Sequence, residues 1–129
     1  MSRWNSPTEI NHPIHLADST LDHRAHVCAF FNGPDEEYQM LLPFIKEGIE
    51  LGQKSVHTIN PRLRADHNLR LASAGIEVDA VLQNGQLELL DWSTTHLPKG
   101  HFDQHETLSL YRRVMDEEPA PVWFRMPAV

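Results

Sequence analysis

Nine histidines among 129 residues make metal binding and acid–base chemistry the first functions to consider. Three pairs are close in sequence: His12 with His15, His23 with His26, and His101 with His105. Zinc needs three or four ligands that converge at about 2.0–2.3 Å. The sequence has no HExxH motif, and its single cysteine cannot form a thiolate cluster. We therefore expect surface or capping histidines, and we predict neither a metal site nor another cofactor.

Covalent catalysis would need a nucleophile beside a base, and the sequence offers neither in an interpretable arrangement. Cys28 lies in an apolar run, where a thiol is usually an inert small hydrophobe. No GxSxG motif is present. A small hydrolase that uses His101, Asp103 and His105 is the enzyme alternative. We predict that the chain is not an enzyme.

Residues 48–55, with the sequence GIELGQKS, resemble a phosphate-binding P-loop. A P-loop has four residues between its glycines and a lysine directly after the second glycine, whereas here three residues intervene and Gln53 precedes Lys54. A P-loop also follows a strand and opens a helix. Here a predicted helix leads in and a predicted strand follows, so we expect a helix C-cap and a turn.

Apolar runs and breakers along the chain predict alternating strands and helices. The predicted strands cover residues 26–31, 55–59, 76–82, 86–90 and 121–126, and the predicted helices begin at Pro34, Pro61 and near Asp103. Asp103 and Glu106 have the spacing of a capping box. The order of elements predicts an α/β domain with three layers, in which an open, mostly parallel sheet has helices on both faces.

Ligands in such sheets bind beyond the carboxyl ends of the strands. The polar and aromatic residues that follow the predicted strands give a candidate ligand site, which consists of Asn32, Asn60, Arg62, Trp92 and His96. The competing interpretation is that the two asparagines only cap helices and that Trp92 only fills the core.

Composition limits the classes of partner. The formal net charge of −7 disfavours a direct nucleic-acid partner, because an acidic surface repels phosphates. The sequence has no apolar run of about 18 residues, so we expect no membrane span. One cysteine fits a reducing compartment, and we expect a cytoplasmic protein. Residues 1–22 are polar and without periodicity, and we interpret them as an N-terminal leader.

Several stretches together resemble the MEDS family, a sensory domain named after methanogens, methylotrophs and a dichloromethane-responsive regulator. They are HVCAFF at residues 26–31, LPFIKEGIELGQK at 42–54, LASAGIEV at 71–78, GQLELL at 85–90 and KGHFD at 99–103. The resemblance runs from about His23 to Glu118. It implies a RecA-like α/β fold without a working P-loop, in agreement with residues 48–55.

The resemblance also implies a function. Family members are thought to sense small organic molecules, and many are fused to DNA-binding or kinase modules. We therefore expect residues 23–129 to be a sensory domain that binds a small organic ligand and acts through a signalling partner protein in transcription regulation. The family usually continues further, so we expect a C-terminally shortened domain whose open sheet edge favours a homodimer. A ligand-free interaction module that dimerises is the alternative.

Overall fold

The computed structural model describes residues 14–21, 27, 29–92, 103–116 and 124–128. The predictions that involve His12, His23, His26, Cys28, His96 and His101 concern residues outside these ranges. The described elements are β1 (Ile14–Leu16), β2 (Ser19–Leu21), α1 (Pro34–Glu50), β3 (Lys54–Ile59), α2 (Arg64–Ser73), α3 (Val78–Gln83), β4 (Leu87–Asp91), α4 (Gln104–Asp116) and β5 (Phe124–Arg125). The chain is therefore a mixed α/β protein.

The central sheet is small and parallel. Its order is β4-β3-β5, so β3 lies in the middle, and every residue of β3 is buried. In the β3–β4 pair, Ser55 lies opposite Leu87 and Ile59 opposite Asp91. On the other edge of β3, Lys54 and Ser55 pair with β5, and a bridge joins Thr58 to Ala128. Parallel strands must be connected by crossovers, and α2 with α3 form the crossover from β3 to β4.

Helix α1 begins and ends as the sequence predicts. Pro34 occupies its first turn, where a missing N–H costs nothing, and the next three residues are acidic. At the other end, Gly52 adopts a φ of 77°, and the backbone N–H of Gln53 donates to the carbonyl of Gly48 at 2.9 Å. This is a Schellman C-cap, which needs a left-handed residue after the helix. Residues 48–55 therefore connect a helix to a strand, as expected, and do not form a P-loop.

The core lies among α1, α2, α3 and β4. Its buried members are Ile45, Leu71, Ile76, Val81 and Leu87. Partly buried apolar side chains from the same elements pack around them, including Phe44, Leu82 and Leu89. The core is thus built where the helices cover the β3–β4 pair.

Arg125 links β5 to α1 through hydrogen bonds and an ion pair. Its side chain is only 3% exposed, and it donates to Gln53 Oε1 at 2.5 Å, to the Phe44 carbonyl at 2.7 Å and to Glu47 Oε1 at 2.9 Å. The burial of a guanidinium is tolerated because these acceptors replace water. Desolvation by burial raises the pKa of Glu47, but the hydrogen bonds from His15 and Arg125, together with the charge of Arg125, outweigh it and lower this pKa.

Two strand predictions were wrong. Residues 27 and 29–31 are not in a strand, and Phe30 is 94% exposed. Both edges of β3 are paired with other segments, one with β4 and the other with residues 124–128. Residues 78–83 form helix α3 instead of the strand predicted over 76–82, because Val78, Val81 and Leu82 recur at helical spacing against the core.

Residues 14–21 form a hairpin of β1 and β2 that lies against α1. The backbone N–H of His15 donates to Glu47 Oε1 at 3.0 Å, and its Nδ1 lies 2.5 Å from Glu47 Oε2. In the described part of the chain, no helix has the length and apolarity that a membrane crossing requires.

Candidate functional site

Four buried polar side chains are joined by hydrogen bonds into one continuous chain. Ser55 Oγ lies 2.7 Å from His57 Nε2, His57 Nδ1 lies 2.8 Å from His67 Nε2, and His67 Nδ1 lies 2.7 Å from the Tyr38 hydroxyl. None of the four is more than 3% exposed. Buried polar groups persist where they are paired, and these pair with one another.

Three secondary-structure elements position this hydrogen-bonded chain. Ser55 and His57 are two residues apart on β3, and their side chains therefore point to the same face of the sheet. His67 comes from α2 and Tyr38 from α1. The His57 and His67 rings meet edge to face, with centroids 5.0 Å apart and an interplanar angle of 87°. The chain of hydrogen bonds thus joins the central strand to two helices.

Arg70 covers the outer end of this chain. Its guanidinium carbon lies 4.6 Å from the centroid of the Tyr38 ring. Arg70 also donates to Asp66 at 2.8 Å within α2 and to Asp35 at 3.0 Å in the first turn of α1. The hydrogen bond to Asp35 ties α2 to α1 beside Tyr38.

Burial keeps both histidines neutral. Desolvation, with a smaller contribution from His67, lowers the pKa of His57 from 6.5 to about 3. Desolvation also lowers the pKa of His67 to about 4, although nearby Asp66 opposes this shift. Burial, together with the charges of Glu37 and Asp66, raises the pKa of Tyr38 to about 12. At neutral pH all four hydrogen-bonded side chains, from Tyr38 to Ser55, are therefore uncharged.

Ser55, His57 and His67 have the connectivity of a nucleophile, a base and an orienting group. The sequence analysis missed this set, because its members are separated by two and ten residues, a spacing that only a strand and a neighbouring helix bring together. The alternation of Ser55 and His57 on one strand face was the available signal. However, Ser55 is 1% exposed and His57 0%, so a substrate cannot reach either atom in this conformation.

At the carboxyl edge of the sheet, two of the sequence-predicted ligand residues come together. Asn60 and Trp92 directly follow Ile59 and Asp91, which are paired across β3 and β4. Asn60 and Trp92 are half-buried. The Asn60 side chain accepts a hydrogen bond from the backbone N–H of Arg62 at 3.1 Å and so caps the 3₁₀ turn that follows.

The other predicted ligand residues, Arg62, Asn32 and His96, are less closely grouped. Arg62 is exposed in the 3₁₀ turn after β3. Asn32 is exposed in front of α1, and its backbone N–H and side-chain amide donate to Glu36 at 3.1 and 2.9 Å. His96 lies outside the described residues. Asn60 therefore has a capping role, whereas the Asn32 side chain donates to Glu36 and does not cap α1, whose N-cap is Gly33. An exposed ligand site at this edge is compatible with these contacts.

The histidine pairs and the acidic residues near them form no metal cluster in the part of the chain that the structure describes. Asp103 Oδ1 accepts from the backbone N–H of Glu106 at 3.1 Å, as the capping box predicts. His105 is exposed on α4, and His15 contacts Glu47. The proposed hydrolase set around Asp103 is thus a helix cap and an exposed ring, with its third member, His101, outside the described residues.

Comparison with protein families gives one match. A model described as MEDS, "MEthanogen/methylotroph, DcmR Sensory domain", matches residues 25–125, which is most of the chain. This match confirms the resemblance found in the sequence stretches. No curated protein and no solved structure matches the chain.

Proposed function

Because the chain belongs to the MEDS family of sensory domains, we propose that it binds a small organic molecule and passes this signal to a partner protein. The observation that supports the ligand site best is the pairing of Ile59 with Asp91. It brings Asn60 and Trp92 to adjoining strand ends, which is the usual place for ligands in parallel sheets.

The residues at this edge offer three complementary kinds of contact. The half-buried Trp92 supplies an apolar surface, Asn60 an amide and Arg62 an exposed guanidinium. Small-molecule sites combine an apolar wall with a few polar groups that fix orientation. We propose that Asn32 and His96 complete the site in the ligand-bound protein. A short organic molecule with one polar or anionic group fits these contacts best.

The wider arrangement is also proposed from the family. We infer a RecA-like, three-layer sheet without phosphate binding, in a cytoplasmic protein. The domain would act as a homodimer and through a separate signalling partner, in transcription regulation. The Schellman cap at residues 48–53 supports the absence of phosphate binding, because its backbone N–H groups are used to end a helix.

Ligand-induced thermal stabilisation tests this proposal. The full chain is screened against short alcohols, carboxylates and halogenated hydrocarbons. We expect at least one compound to raise the melting temperature of the wild-type protein, and we expect Trp92→Ala to abolish this rise while remaining folded. A Trp92→Ala protein that is stabilised as strongly as the wild type would contradict this placement of the site.

Two arginine variants form a matched comparison. Arg62 lies at the proposed site, whereas Arg112 is exposed on α4. Arg62→Gln should weaken binding of a stabilising carboxylate about tenfold or more, since a charge-assisted hydrogen bond contributes about 1.5–3 kcal/mol. Arg112→Gln should leave the affinity unchanged. Equal effects of the two substitutions would indicate nonspecific attraction of the anion.

A ligand-free interaction module is the second candidate, and the exposure of Phe30 favours it. Phe30 is 94% exposed and Val27, three residues earlier, is 50% exposed. Large exposed apolar patches often mark protein interfaces, and we propose that Phe30 contributes to one. This candidate predicts a dimer in light scattering that Phe30→Ser converts to a monomer, with no compound raising the melting temperature.

A further inference from the structure

The hydrogen-bonded chain from Tyr38 to Ser55 has a direction. A neutral imidazole has one N–H donor and one acceptor nitrogen. The bond between His57 Nδ1 and His67 Nε2 therefore has a single donor, and that choice sets the roles of the two outer nitrogens. Only two orderings pair all three contacts: both rings carry their proton on Nε2, or both carry it on Nδ1.

The hydroxyl groups at the two ends, on Tyr38 and Ser55, favour one of these orderings. A phenol is more acidic than an alkyl hydroxyl, which makes it the stronger donor and the weaker acceptor. Tyr38 also keeps its proton at neutral pH, because burial raises its pKa to about 12. With both rings protonated on Nε2, Tyr38 donates into the chain and Ser55 accepts at its far end. In the reverse ordering the Tyr38 hydroxyl would accept and the Ser55 hydroxyl would donate, which is the weaker role for each.

We propose that Tyr38, His67, His57 and Ser55 form a directional relay in which each residue donates to the next and which reverses only as a unit. In this relay both imidazoles are Nε2–H tautomers. In the reverse state both rings are Nδ1–H. Each proton passes to the next acceptor along the relay, from Tyr38 to His67 Nδ1, from His67 Nε2 to His57 Nδ1 and from His57 Nε2 to Ser55 Oγ. Ser55 then releases its original hydroxyl proton to water, and Tyr38 takes one from water. Since a mixed state leaves two acceptors or two donors facing each other, the relay has two coherent states.

The position of the relay gives it a regulatory role. The segment between His57 and His67 includes Asn60 and Arg62, so the His57–His67 bond closes the loop that carries the proposed ligand residues. A movement of α2 against β3 would strain that bond, and a movement of α2 against α1 would strain the bond to Tyr38. A two-state element of this kind can report ligand binding to α1. This role rests on the proposed function, whereas the tautomers of the two rings do not.

Nitrogen-15 NMR of the histidine-labelled full chain at neutral pH tests the relay, because the shifts of Nδ1 and Nε2 identify the protonated nitrogen. We expect both His57 and His67 to be Nε2–H in the wild-type protein. We expect the same in Tyr38→Phe, where the reverse ordering would leave an orphaned N–H on His67. A wild-type protein with the two rings in different tautomers, or both as Nδ1–H, would overturn the proposal.

Ser55→Ala tests whether the rings switch together. It removes the acceptor for His57 Nε2–H, and an unpaired buried N–H costs more than an unpaired nitrogen lone pair. The Nδ1–H population should therefore rise at His57 and by the same fraction at His67, which Ser55 does not touch. Ser55→Thr retains the hydroxyl and should keep the wild-type tautomers. A change confined to His57, or no change at either ring, would refute the relay.

If the tautomers behave as expected but no tested compound alters the relay signals, the relay stands and its role in sensing fails. Titration of the labelled protein with the compound that raises the melting temperature decides this second point. A ligand-dependent change at His57 and His67 that is lost in Trp92→Ala supports the regulatory role. Unchanged ring signals at saturating compound would overturn that role.

Discussion

His57 and His67 are two uncharged imidazoles with no exposed surface, and this makes the fold sensitive to acid. Their pKa values are about 3 and 4 in the fold, compared with an ordinary value of 6.5. The unfolded chain therefore binds more protons than the folded chain between about pH 6.5 and pH 4. Stability that is fully present above this range is lost as the pH falls through it.

We predict that lowering the pH from 7 to 5 reduces the free energy of unfolding by about 2 kcal/mol for each of these two histidines. Urea unfolding at several pH values measures this. The two buried histidines should make the free energy of unfolding fall as the pH falls, and His67→Gln should remove roughly half of this pH dependence. His105→Gln, at an exposed position on α4, should not change it. An equal pH slope in the wild-type and His67→Gln proteins would show that folding does not lower the pKa of His67.

Ser55 Oγ lies 2.7 Å from His57 Nε2, a distance typical of a serine nucleophile and its base. Its burial and its acceptor role in the proposed relay both argue against catalysis. We predict that an alkyl fluorophosphonate leaves the folded protein unmodified, because Ser55 is only 1% exposed. Intact mass spectrometry after incubation, with and without the probe, measures this. A single adduct that disappears in Ser55→Ala would instead indicate an acyl-transfer enzyme whose site opens in solution.

At the scale of single residues, sequence reasoning identified caps better than it identified the buried chain. Asn60 and Asp103 cap helices as predicted, because capping depends on neighbours within about three residues. His57 and His67 meet only after β3 and α2 have folded against each other. Their contact depends on tertiary packing, which no local spacing encodes. The role of Trp92 and its neighbours in ligand binding remains a prediction.

At the scale of elements, the sequence predicted α1, β3 and β4 because each has a breaker on at least one side and a clear apolar pattern. The Schellman cap at Gly52 and the left-handed Gly85 before β4 are such breakers. The prediction over 76–82 was wrong because two valines suggested a strand, whereas packing on the core selected a helix. The prediction over 26–31 was wrong at the described positions, and both edges of β3 are paired with other segments.

The junction between α1 and β5 depends on the absence of a side chain at Gly48. A Cβ at this position would overlap Arg125 Cδ and Nε, and three hydrogen bonds hold that arginine in place. We predict that Gly48→Ala destabilises the protein by about 1–3 kcal/mol, as overpacking does elsewhere. Alanine is the better helix former by about 1 kcal/mol, so a net loss would identify the overlap as its cause.

Urea unfolding of Gly48→Ala beside Gly33→Ser measures this effect. Gly33 has extended backbone in front of α1, and nothing lies within 4 Å of a Cβ placed there. Serine is also accepted at an N-cap, so this control should stay within about 0.5 kcal/mol of the wild type. A Gly48→Ala protein as stable as the control would mean that Arg125 does not pack against α1 as described.

At the scale of the whole molecule, a MEDS sensory domain carries a candidate ligand site at its sheet edge and a buried chain of hydrogen bonds. The net charge of −7 favours partners other than nucleic acid, as does the proposed signalling to a partner protein. The proposed ligand loop at residues 60–63 lies between the two relay histidines in sequence. Binding at the edge and rearrangement in the interior would then be one event.

Native mass spectrometry of the full chain, purified without denaturant and compared with a denatured sample, tests the sensory claim most directly. The account predicts a non-covalent mass increment of small organic size in the native spectrum, which the denatured sample and Trp92→Ala both lack. A native spectrum of the bare chain or dimer, for a protein that no compound in the thermal screen stabilises, would contradict a ligand-binding function.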